Sequence, residues 1–441
     1  MLKSRKNLSP SGLWSLTHGF FAKEFPEDKH KRIDSKPQPT VVDSLMSCAA
    51  LFNLKFPSML QYDIQRRELR MLSNLQRLFH VQNAPCDTTM RTHLDAINPD
   101  RIRGVFKQIF SNAQRGKLLE PYVFWKGHYL IAVDGTQHFS SKNVHCDSCC
   151  EKKHRNKKTG EIESITYHHD MLGAVVIHPD MRQVIPLCPE PITKQDGAVK
   201  NDCEQNAGKR LLLDIRREHP HLKIIMAKDA LYATGPYISD LKEQDMRFII
   251  NAKEGNLGSL FHWLKFVEMS EYSFENSHGT RHEFRFRNEV PLNEENPDIL
   301  VNFLDYFETD KNGKKQHFSW ITDIPLSRKT VELVMRGGRS RWHIENQTFN
   351  TLKNQGYNFE HNFGHGEKNL CTIMSFLMML AFLIDQIVEC SNFLFQQARK
   401  SAGSKRSLWE HMKMAFQWFY VPDWDSFFNL IILKGEYPNT A

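Results

Sequence analysis

The chain has 441 residues, of which 40% are hydrophobic, and a formal net charge of +7. It is long enough to bury a large core and to form two or three domains. Its nine cysteines lack the regular pairing of a small secreted scaffold, which excludes that class. The basic N-terminus has no long apolar run behind it, so we expect no export signal and a cytoplasmic location.

Positive charge is concentrated before residue 134. Lys and Arg outnumber Asp and Glu by 20 to 11 in residues 1–133, a net of +9, and number 38 against 40 in the remainder, a net of −2. This distribution is typical of a DNA-docking segment in front of an acidic site. A solvated basic face without a partner would give the same counts.

The N-terminal third predicts mostly helices. Residues 1–40 are polar and contain prolines, and they predict a flexible segment. Residues 41–125 predict a helical DNA-binding domain. Within it, an Asp or Thr N-cap after Pro85 begins a helix that presents Arg91 and His93. This helix is either the recognition helix of a helix-turn-helix or a plain packing helix.

Two short apolar runs in the middle of the chain each end in an aspartate. Residues 129–136 predict a buried strand with Asp134 at its tip, and residues 222–230 predict the same for Asp229. Each signal alone is weak, because Asp often ends strands as turn chemistry. The flanking pattern predicts an α/β sheet: a hairpin at 171–178 and 183–187, a crossover helix at 199–219, a helix at 237–244 and a strand at 247–251.

A third acidic residue lies in the run 341–353. If this run is helical, Arg341, Glu345, Phe349 and Lys353 line one face. A carboxylate flanked by cations and an aromatic ring suits a divalent metal beside a polyanion, whereas the alternative is a solvated helix with ion pairs. Three carboxylates close together repel one another unless cations neutralise them, so we expect Mg²⁺ or Mn²⁺ if they converge.

The order Asp134, Asp229, Glu345, with Arg-Trp-x-Ile-Glu before an Asn-x-Leu-Lys helix, resembles the DDE transposases of bacterial insertion sequences. The similar branch has a β-rich insertion between the second Asp and the Glu, and the resemblance covers about residues 40–395. It implies an α/β ribonuclease H-like catalytic core with an inserted β-subdomain, behind a helical N-terminal DNA-binding domain. It also implies that the three carboxylates bind two Mg²⁺ (or Mn²⁺) ions for strand cleavage and strand transfer.

The resemblance further implies partners and a location. The partners are double-stranded DNA, as terminal inverted repeats and target, and a second copy in a homodimeric synaptic complex; the protein is expected near the bacterial nucleoid and not in a membrane. Arg341, Lys353 and Arg91 are the predicted DNA contacts. This sequence departs from the family motif at two positions: Gly338 stands where the motif has a Tyr, and Lys353 is one residue later than the motif's Lys. A nuclease without strand transfer and a domesticated DNA-binding protein remain alternative interpretations.

The predicted core is divided. Residues 126–254 and 318–395 form its two parts, residues 255–317 the β-rich insertion and residues 396–441 a C-terminal helical segment. Within the insertion, polar and apolar residues alternate as they do in strands at 272–275, 283–287 and 301–303. A strand at 318–323 is predicted to re-enter the core. Ser327 is predicted to cap the helix leading to Arg341. The apolar run 371–384 is too short to span a membrane and predicts a core helix.

A cysteine cluster lies between the first two predicted catalytic strands. Cys146-x-x-Cys149, with Cys150 and His154, resembles half of a zinc site. One interpretation is a structural Zn²⁺ that staples a loop containing Arg155, Lys157 and Lys158. The other is reduced thiols in a loop. His168 and His169 are interpreted as strand residues, not ligands.

Overall fold

The computed structural model describes residues 6–26, 38–197 and 200–433. Within them a mixed α/β architecture surrounds one sheet. The helices are α1 (Pro10–Glu24), α2 (Val41–Asn53), α3 (Met59–Gln65), α4 (Leu69–Phe79), α5 (Asp87–Asp95), α6 (Asp100–Arg115), α7 (Lys200–Glu218), α8 (Gly235–Glu243), α9 (Gly258–Leu264), α10 (Val331–Arg339), α11 (Asn350–Asn354), α12 (Leu370–Ser391), α13 (Phe393–Ala402), α14 (Lys405–Trp418) and α15 (Trp424–Ile432). The strands are β1 (Val123–Trp125), β2 (His128–Ser141), β3 (Cys150–Arg155), β4 (Ile162–His178), β5 (Met181–Pro186), β6 (Glu190–Ile192), β7 (Ile224–Lys228), β8 (Met246–Asn251), β9 (Ser270–Glu275), β10 (Arg281–Asn293), β11 (Asn296–Thr309) and β12 (Lys315–Thr322).

The sheet has the order β3-β4-β2-β7-β8-β12-β11-β10-β9, with β1 beside β2 and with β5 and β6 beside β4. The pairs β2–β7 and β7–β8 are parallel, and the other pairs are antiparallel. Parallel neighbours need long crossovers, which α7 and α8 supply, whereas antiparallel neighbours such as β4 and β5 can be joined by a short turn. The predicted hairpin is formed by β4 and β5, and the α/β class is confirmed.

The strands predicted as an insertion extend this same sheet. β12 pairs with β8 through Ile321 and Ile250, so the predicted return to the core at 318–323 is confirmed. β11, β10 and β9 then follow in antiparallel order. The β-rich stretch predicted at 255–317 thus contains β9, β10 and β11, and it extends the core sheet because the edge of β8 pairs with β12.

The N-terminal segment contains a buried helix, so the prediction of flexibility is wrong for α1. The Gly12 N–H donates to Ser9 Oγ at 3.1 Å, which caps the helix, and Pro10 occupies its first turn. Leu13, Trp14 and Phe21 are fully buried. The segment is polar overall, and this composition hid the helical spacing of its few apolar residues. Residues 1–5 and 27–37 of the predicted flexible segment lie outside the described residues.

Helices from both ends of the chain form one body around α12. The Asn74 side-chain amide of α4 donates to the carbonyls of Phe416 and Phe419 and accepts from the Val421 N–H. α12 is long and apolar enough to cross a membrane by length and composition, yet 94% of its most apolar window is buried inside the protein. The predicted core helix is therefore confirmed, although it is longer than residues 371–384.

Candidate functional site

The first two predicted carboxylates lie in register on neighbouring parallel strands. Ala132 of β2 pairs with Ala227 of β7, and Asp134 and Asp229 each follow two residues later. Adjacent strands are about 4.8 Å apart, so both carboxylates are delivered to one place. Asp229 directly follows its strand, as predicted. Asp134 does not lie at a strand tip, because β2 continues to Ser141 along its longer partner β4.

Backbone donors orient one oxygen of each aspartate. The Gly135 N–H donates to Asp134 Oδ1 at 3.0 Å, and the Leu231 N–H donates to Asp229 Oδ1 at 3.1 Å. The second contact is the N-cap of a short helical turn after β7. Both carboxylates are therefore oriented by backbone N–H groups that lie one or two residues further along the chain.

Arg341 connects the third carboxylate to the sheet. Its Nη1 donates to Asp134 Oδ2 at 3.1 Å, and its Nη2 donates to Glu345 Oε1 at 2.7 Å. Charge-assisted bonds from one planar guanidinium hold the two acids on either side of a cation. The helix before Arg341 begins at Val331 with Thr330 at its N-cap, three residues after the predicted cap; Ser327 Oγ instead accepts the Lys329 N–H in the turn that leads into the helix.

Glu345 lies in a π-helical segment, Ile344–Phe349, that continues into α11. Because residues five apart stack in a π-helix, Ile344 and Phe349 both point into the core. Glu345 is half exposed, and Lys353 Nζ pairs with Glu360 Oε1 at 2.8 Å. The predicted single face is therefore confirmed for Arg341 and Glu345, which pair, but is wrong for Phe349, which is buried where Glu345 is half exposed.

A glycine positions this segment against the sheet. Gly173 of β4 pairs with Asp134, and a Cβ atom on Gly173 would lie only 2.9 Å from the Phe349 ring. The Phe349 ring thus rests directly on the backbone opposite Asp134. This close approach sets the distance between the Glu345 segment and the strand.

The three acids form one electrostatic group. Burial is the largest influence on Asp134 and raises its pKa. Arg341 opposes this effect, whereas the negative charges of Glu345 and Asp229 raise the pKa further. Asp134 is thus close enough to both other carboxylates to be affected by their charge.

Sequence reasoning missed two charged side chains beside the aspartates. Lys228 precedes Asp229 and is almost fully buried, with Nζ 3.3 Å from the centroid of the Tyr232 ring. Burial lowers its pKa to about 7, and the nearby carboxylates oppose that shift. Glu204 of α7 lies so near Gly135 that a Cβ there would be 3.1 Å from Glu204 Oε2. For Lys228, the available sequence signal was a lysine inside an otherwise apolar strand.

The predicted DNA contact Arg91 lies on α5, whose N-cap is Cys86 and not the predicted Asp or Thr. Arg91 pairs with Asp87 on the same helix. His93 Nδ1 lies 2.9 Å from Ser44 Oγ of α2. α5 also packs against α12. These contacts favour the packing-helix interpretation of this segment.

Four soft donor atoms converge at a second site. They belong to Cys146, Cys149, His169 and His365 and all lie within 4.8 Å of one another. Cys149, His169 and His365 are buried, and Cys146 is partly exposed. A hydrogen bond with Cys149 holds the pKa of the Cys146 thiol far below its usual value, against the effect of burial, and both histidines act in the same direction.

This cluster differs from the predicted ligand set. Cys150 Sγ lies 3.8 Å from the Ile192 carbonyl oxygen, and the exposed His154 contacts Thr166, so neither joins the cluster. Both predicted ligands are therefore wrong. His169 is a strand residue, as interpreted, but its ring also faces the thiols. His365 is 216 residues from Cys149, a separation that local spacing cannot reveal.

A scan against protein-family models gives no match, and a search of the curated proteins gives no significant match.

Proposed function

We propose that this chain is a DNA transposase of the DDE type, which binds the ends of an insertion sequence and catalyses metal-dependent strand cleavage and strand transfer. The observation that carries the proposal is the convergence of the carboxylates. Asp134 and Asp229 lie in register on adjacent parallel strands, and Arg341 ties Glu345 to Asp134. The same three residues, in this order, carry the family resemblance.

The strand order supports a ribonuclease H-like core. β5, β4 and β2 are consecutive antiparallel neighbours, and β7 and β8 continue the sheet in parallel. The helices α7 and α8 form the crossovers. Ligands of open α/β sheets bind at the carboxyl ends of parallel strands, which is where Asp229 lies and where the β2–β7 pairing ends beside Asp134.

Two Mg²⁺ or Mn²⁺ ions are the cofactors that this function requires, and the donor set fits them. Asp134, Asp229 and Glu345 offer hard oxygen ligands, which these ions prefer. Burial and neighbouring charge raise the pKa of Asp134, and Arg341 already places a cation between two of the acids. When bound, the ions would activate the attacking water or 3′-hydroxyl and stabilise the leaving oxygen.

The chain's own cations have separate roles in this proposal. Arg341 holds Glu345 beside Asp134 and lies within reach of a phosphate at the same place. Lys353, about two turns after Glu345, provides a second phosphate contact. Lys228 is buried next to Asp229 and reduces the repulsion between the aspartates from within the sheet.

Basic surfaces support DNA as the substrate. The hairpin of β3 and β4 exposes Lys152, Lys153, Arg155, Lys157 and Lys158. The N-terminal third adds its net charge of +9. Such charge binds the phosphate backbone with strong salt dependence. Because α1, α2 and α4 pack against helices from the end of the chain, DNA binding should be measured on the full chain and not on an N-terminal fragment.

The deciding experiment incubates the full chain and Mg²⁺ with DNA carrying the inverted repeats that flank its gene, plus a target plasmid. The proposal predicts cleavage at the repeat ends and joined products. Cleavage without joining would replace it with a nuclease, and binding without cleavage would replace it with a DNA-binding protein. The expected homodimer is tested by the mass of the protein–DNA complex in light scattering.

A further inference from the structure

We infer that Cys146, Cys149, His169 and His365 bind one structural Zn²⁺ ion, which fixes the loop after the Glu345 segment to the catalytic sheet. The site is separate from the three carboxylates. Its existence does not depend on the proposed DNA chemistry, because the argument uses only the donor atoms and their geometry.

Four of the six donor–donor distances are close to the edges of a tetrahedron around zinc, and the other two are within 4.8 Å. Zn–S bonds of about 2.3 Å and Zn–N bonds of about 2.0–2.1 Å require edges of about 3.8 Å for S–S, about 3.6 Å for S–N and about 3.3 Å for N–N. The Sγ atoms of Cys146 and Cys149 are 3.9 Å apart, and the Nε2 atoms of His169 and His365 are 3.2 Å apart. The S–N distances from Cys146 to His169 and from Cys149 to His365 are 3.5 and 3.3 Å.

The chemistry of the donors selects zinc. Two thiolates and two neutral imidazoles neutralise a divalent ion, which suits a site where Cys149, His169 and His365 are buried. A tetrahedral S₂N₂ set is typical of zinc, and hard ions such as Mg²⁺ prefer oxygen. His365 Nδ1 lies 2.7 Å from the Gly366 carbonyl oxygen, an outer contact that orients Nε2 towards the metal.

The backbone around the cysteines is arranged as a metal-binding turn. The Cys149 N–H donates to the Cys146 carbonyl at 3.1 Å, and the Cys146 N–H lies 3.5 Å from Cys149 Sγ. The sulfur atoms are therefore on the same side of a tight turn. Their separation of 3.9 Å is far from the disulfide bond length of about 2.05 Å.

The ion would join three segments that are remote in sequence. The cysteines precede β3 and thus hold the base of the basic hairpin. His169 lies on β4, four residues before Gly173, which contacts the Glu345 segment. His365 lies between α11 and α12, in the loop that follows that segment. The zinc would therefore limit movement of the Glu345 segment relative to the Asp134 strand.

Asp95, in the helical N-terminal part of the chain, forms hydrogen bonds with the backbone of the same loop. Asp95 of α5 accepts backbone N–H groups from Glu367, Lys368, Asn369 and Leu370. Burial acts to raise the pKa of Asp95, but the four donors together hold it below its usual value. The His365 loop is thus fixed to the N-terminal helices on one side and, through zinc, to the sheet on the other.

The first test is the metal content of the full chain, which is purified without chelators and measured by inductively coupled plasma mass spectrometry. We expect about one zinc per chain, and its loss in His365→Ala and Cys149→Ser. The matched controls Cys150→Ser and His154→Ala change the neighbouring residues that lie outside the cluster, and they should keep the zinc. Zinc-free protein, stoichiometric iron, or zinc lost equally in the controls would overturn the assignment.

A second measurement does not require the variants to fold. Replacing the metal of the native chain with Co²⁺ should give the intense visible bands of a tetrahedral ion and a thiolate-to-cobalt charge-transfer band. A spectrum of octahedral cobalt without thiolate bands would contradict the site.

The structural role is tested by removing zinc from the native chain with a thiol-reactive mercurial and a chelator. We expect the melting temperature to fall on the order of 5–10 °C. Amide hydrogen exchange should rise in residues 146–150, 167–171 and 364–371 and remain unchanged in β7 and β8. Unchanged exchange in those three segments would refute the role, whether or not the chain cleaves DNA.

Discussion

The carboxylate site and the Cys/His cluster share the β2–β4 ladder but differ in chemistry. Asp134 pairs with Gly173, and Phe139, five residues later, pairs with His169. At the first site, oxygen donors are partly open to solvent and an arginine lies between them. At the second, softer donors are already in contact with one another. Repelling donors held apart suit exchangeable ions that take part in reactions, whereas donors in contact suit a permanent structural ion.

The two sites also differ in how the chain builds them. Regular strands in register deliver Asp134 and Asp229, and one arginine adds Glu345. A tight turn, a strand and a distant loop deliver the four soft donors. The first arrangement therefore depends on sheet geometry, and the second depends on loops that the metal itself would hold in place.

The largest effect is expected from removing an aspartate charge. Asp134→Asn or Asp229→Asn should reduce cleavage at least about 100-fold, because metal stabilisation of the transition state contributes several kcal/mol. Asn at 229 still caps the following turn, so folding should be preserved. Zinc content should remain at one per chain. The exposed Asp298→Asn is the control, and a variant at either site that cleaves at near-normal rate would remove that carboxylate from the proposed site.

Glu345→Gln should eliminate turnover while DNA binding is kept or becomes tighter. The amide retains size and hydrogen bonding but loses the charge that holds metal and repels phosphate. Cleavage and affinity are measured on the same repeat-end DNA. Near-normal cleavage would favour the alternative of an ordinary surface helix, whose exposed ion pairs contribute only about 0.3–0.5 kcal/mol.

Gly173→Ala tests whether the sheet sets the position of Glu345. The added methyl would lie 2.9 Å from the Phe349 ring, so the ring, or the Glu345 segment that carries it, must shift. We expect roughly tenfold or greater loss of cleavage, since a displacement of about 1 Å can cost 100-fold. DNA affinity and zinc content should change little. Gly255→Ala, in an exposed turn with open space around it, is a control for an added methyl group away from the site.

Lys353→Ala should weaken DNA binding by one phosphate contact. The slope of the logarithm of affinity against the logarithm of salt should fall by about one unit, while cleavage at saturating DNA partly survives. Glu360→Gln removes the partner of Lys353 without removing the cation, so its salt slope should not decrease. Equal slopes for Lys353→Ala and the parent chain would exclude Lys353 as a contact.

The smallest effect concerns stability and pH. Because the pKa of Asp134 is raised in the folded chain, the folded state holds its proton more tightly than the unfolded state does. The resulting stabilisation is present at low pH and is lost as the pH rises through the folded pKa. Without divalent ions, Asp134→Asn should therefore lack this part of the pH dependence of the melting temperature. Mg²⁺ should raise the melting temperature of the parent chain but not of the variant.

The sequence alone located most strands and the three acids, whose catalytic role stays a prediction. Apolar runs that end in Asp, and a basic helix with Glu345, are local patterns, and the structure places Asp134, Glu345 and Arg341 in contact as one group. The α/β class followed from the same patterns. Local periodicity also located α12 as a core helix, because its apolar composition is nearly continuous.

Tertiary structure decided the rest. Continuity of β9–β12 with the core depends on which sheet edge they meet, and the depth of α1 depends on its helical neighbours. The burial of Phe349 depends on the packing of its ring against Gly173 of the neighbouring sheet. The tertiary fold determines which histidines contact Cys146 and Cys149, because His365 lies 216 residues from Cys149 in sequence and meets it only in the folded chain. Spacing within a segment determines its local conformation, whereas donors from different segments meet only where the packed core places them.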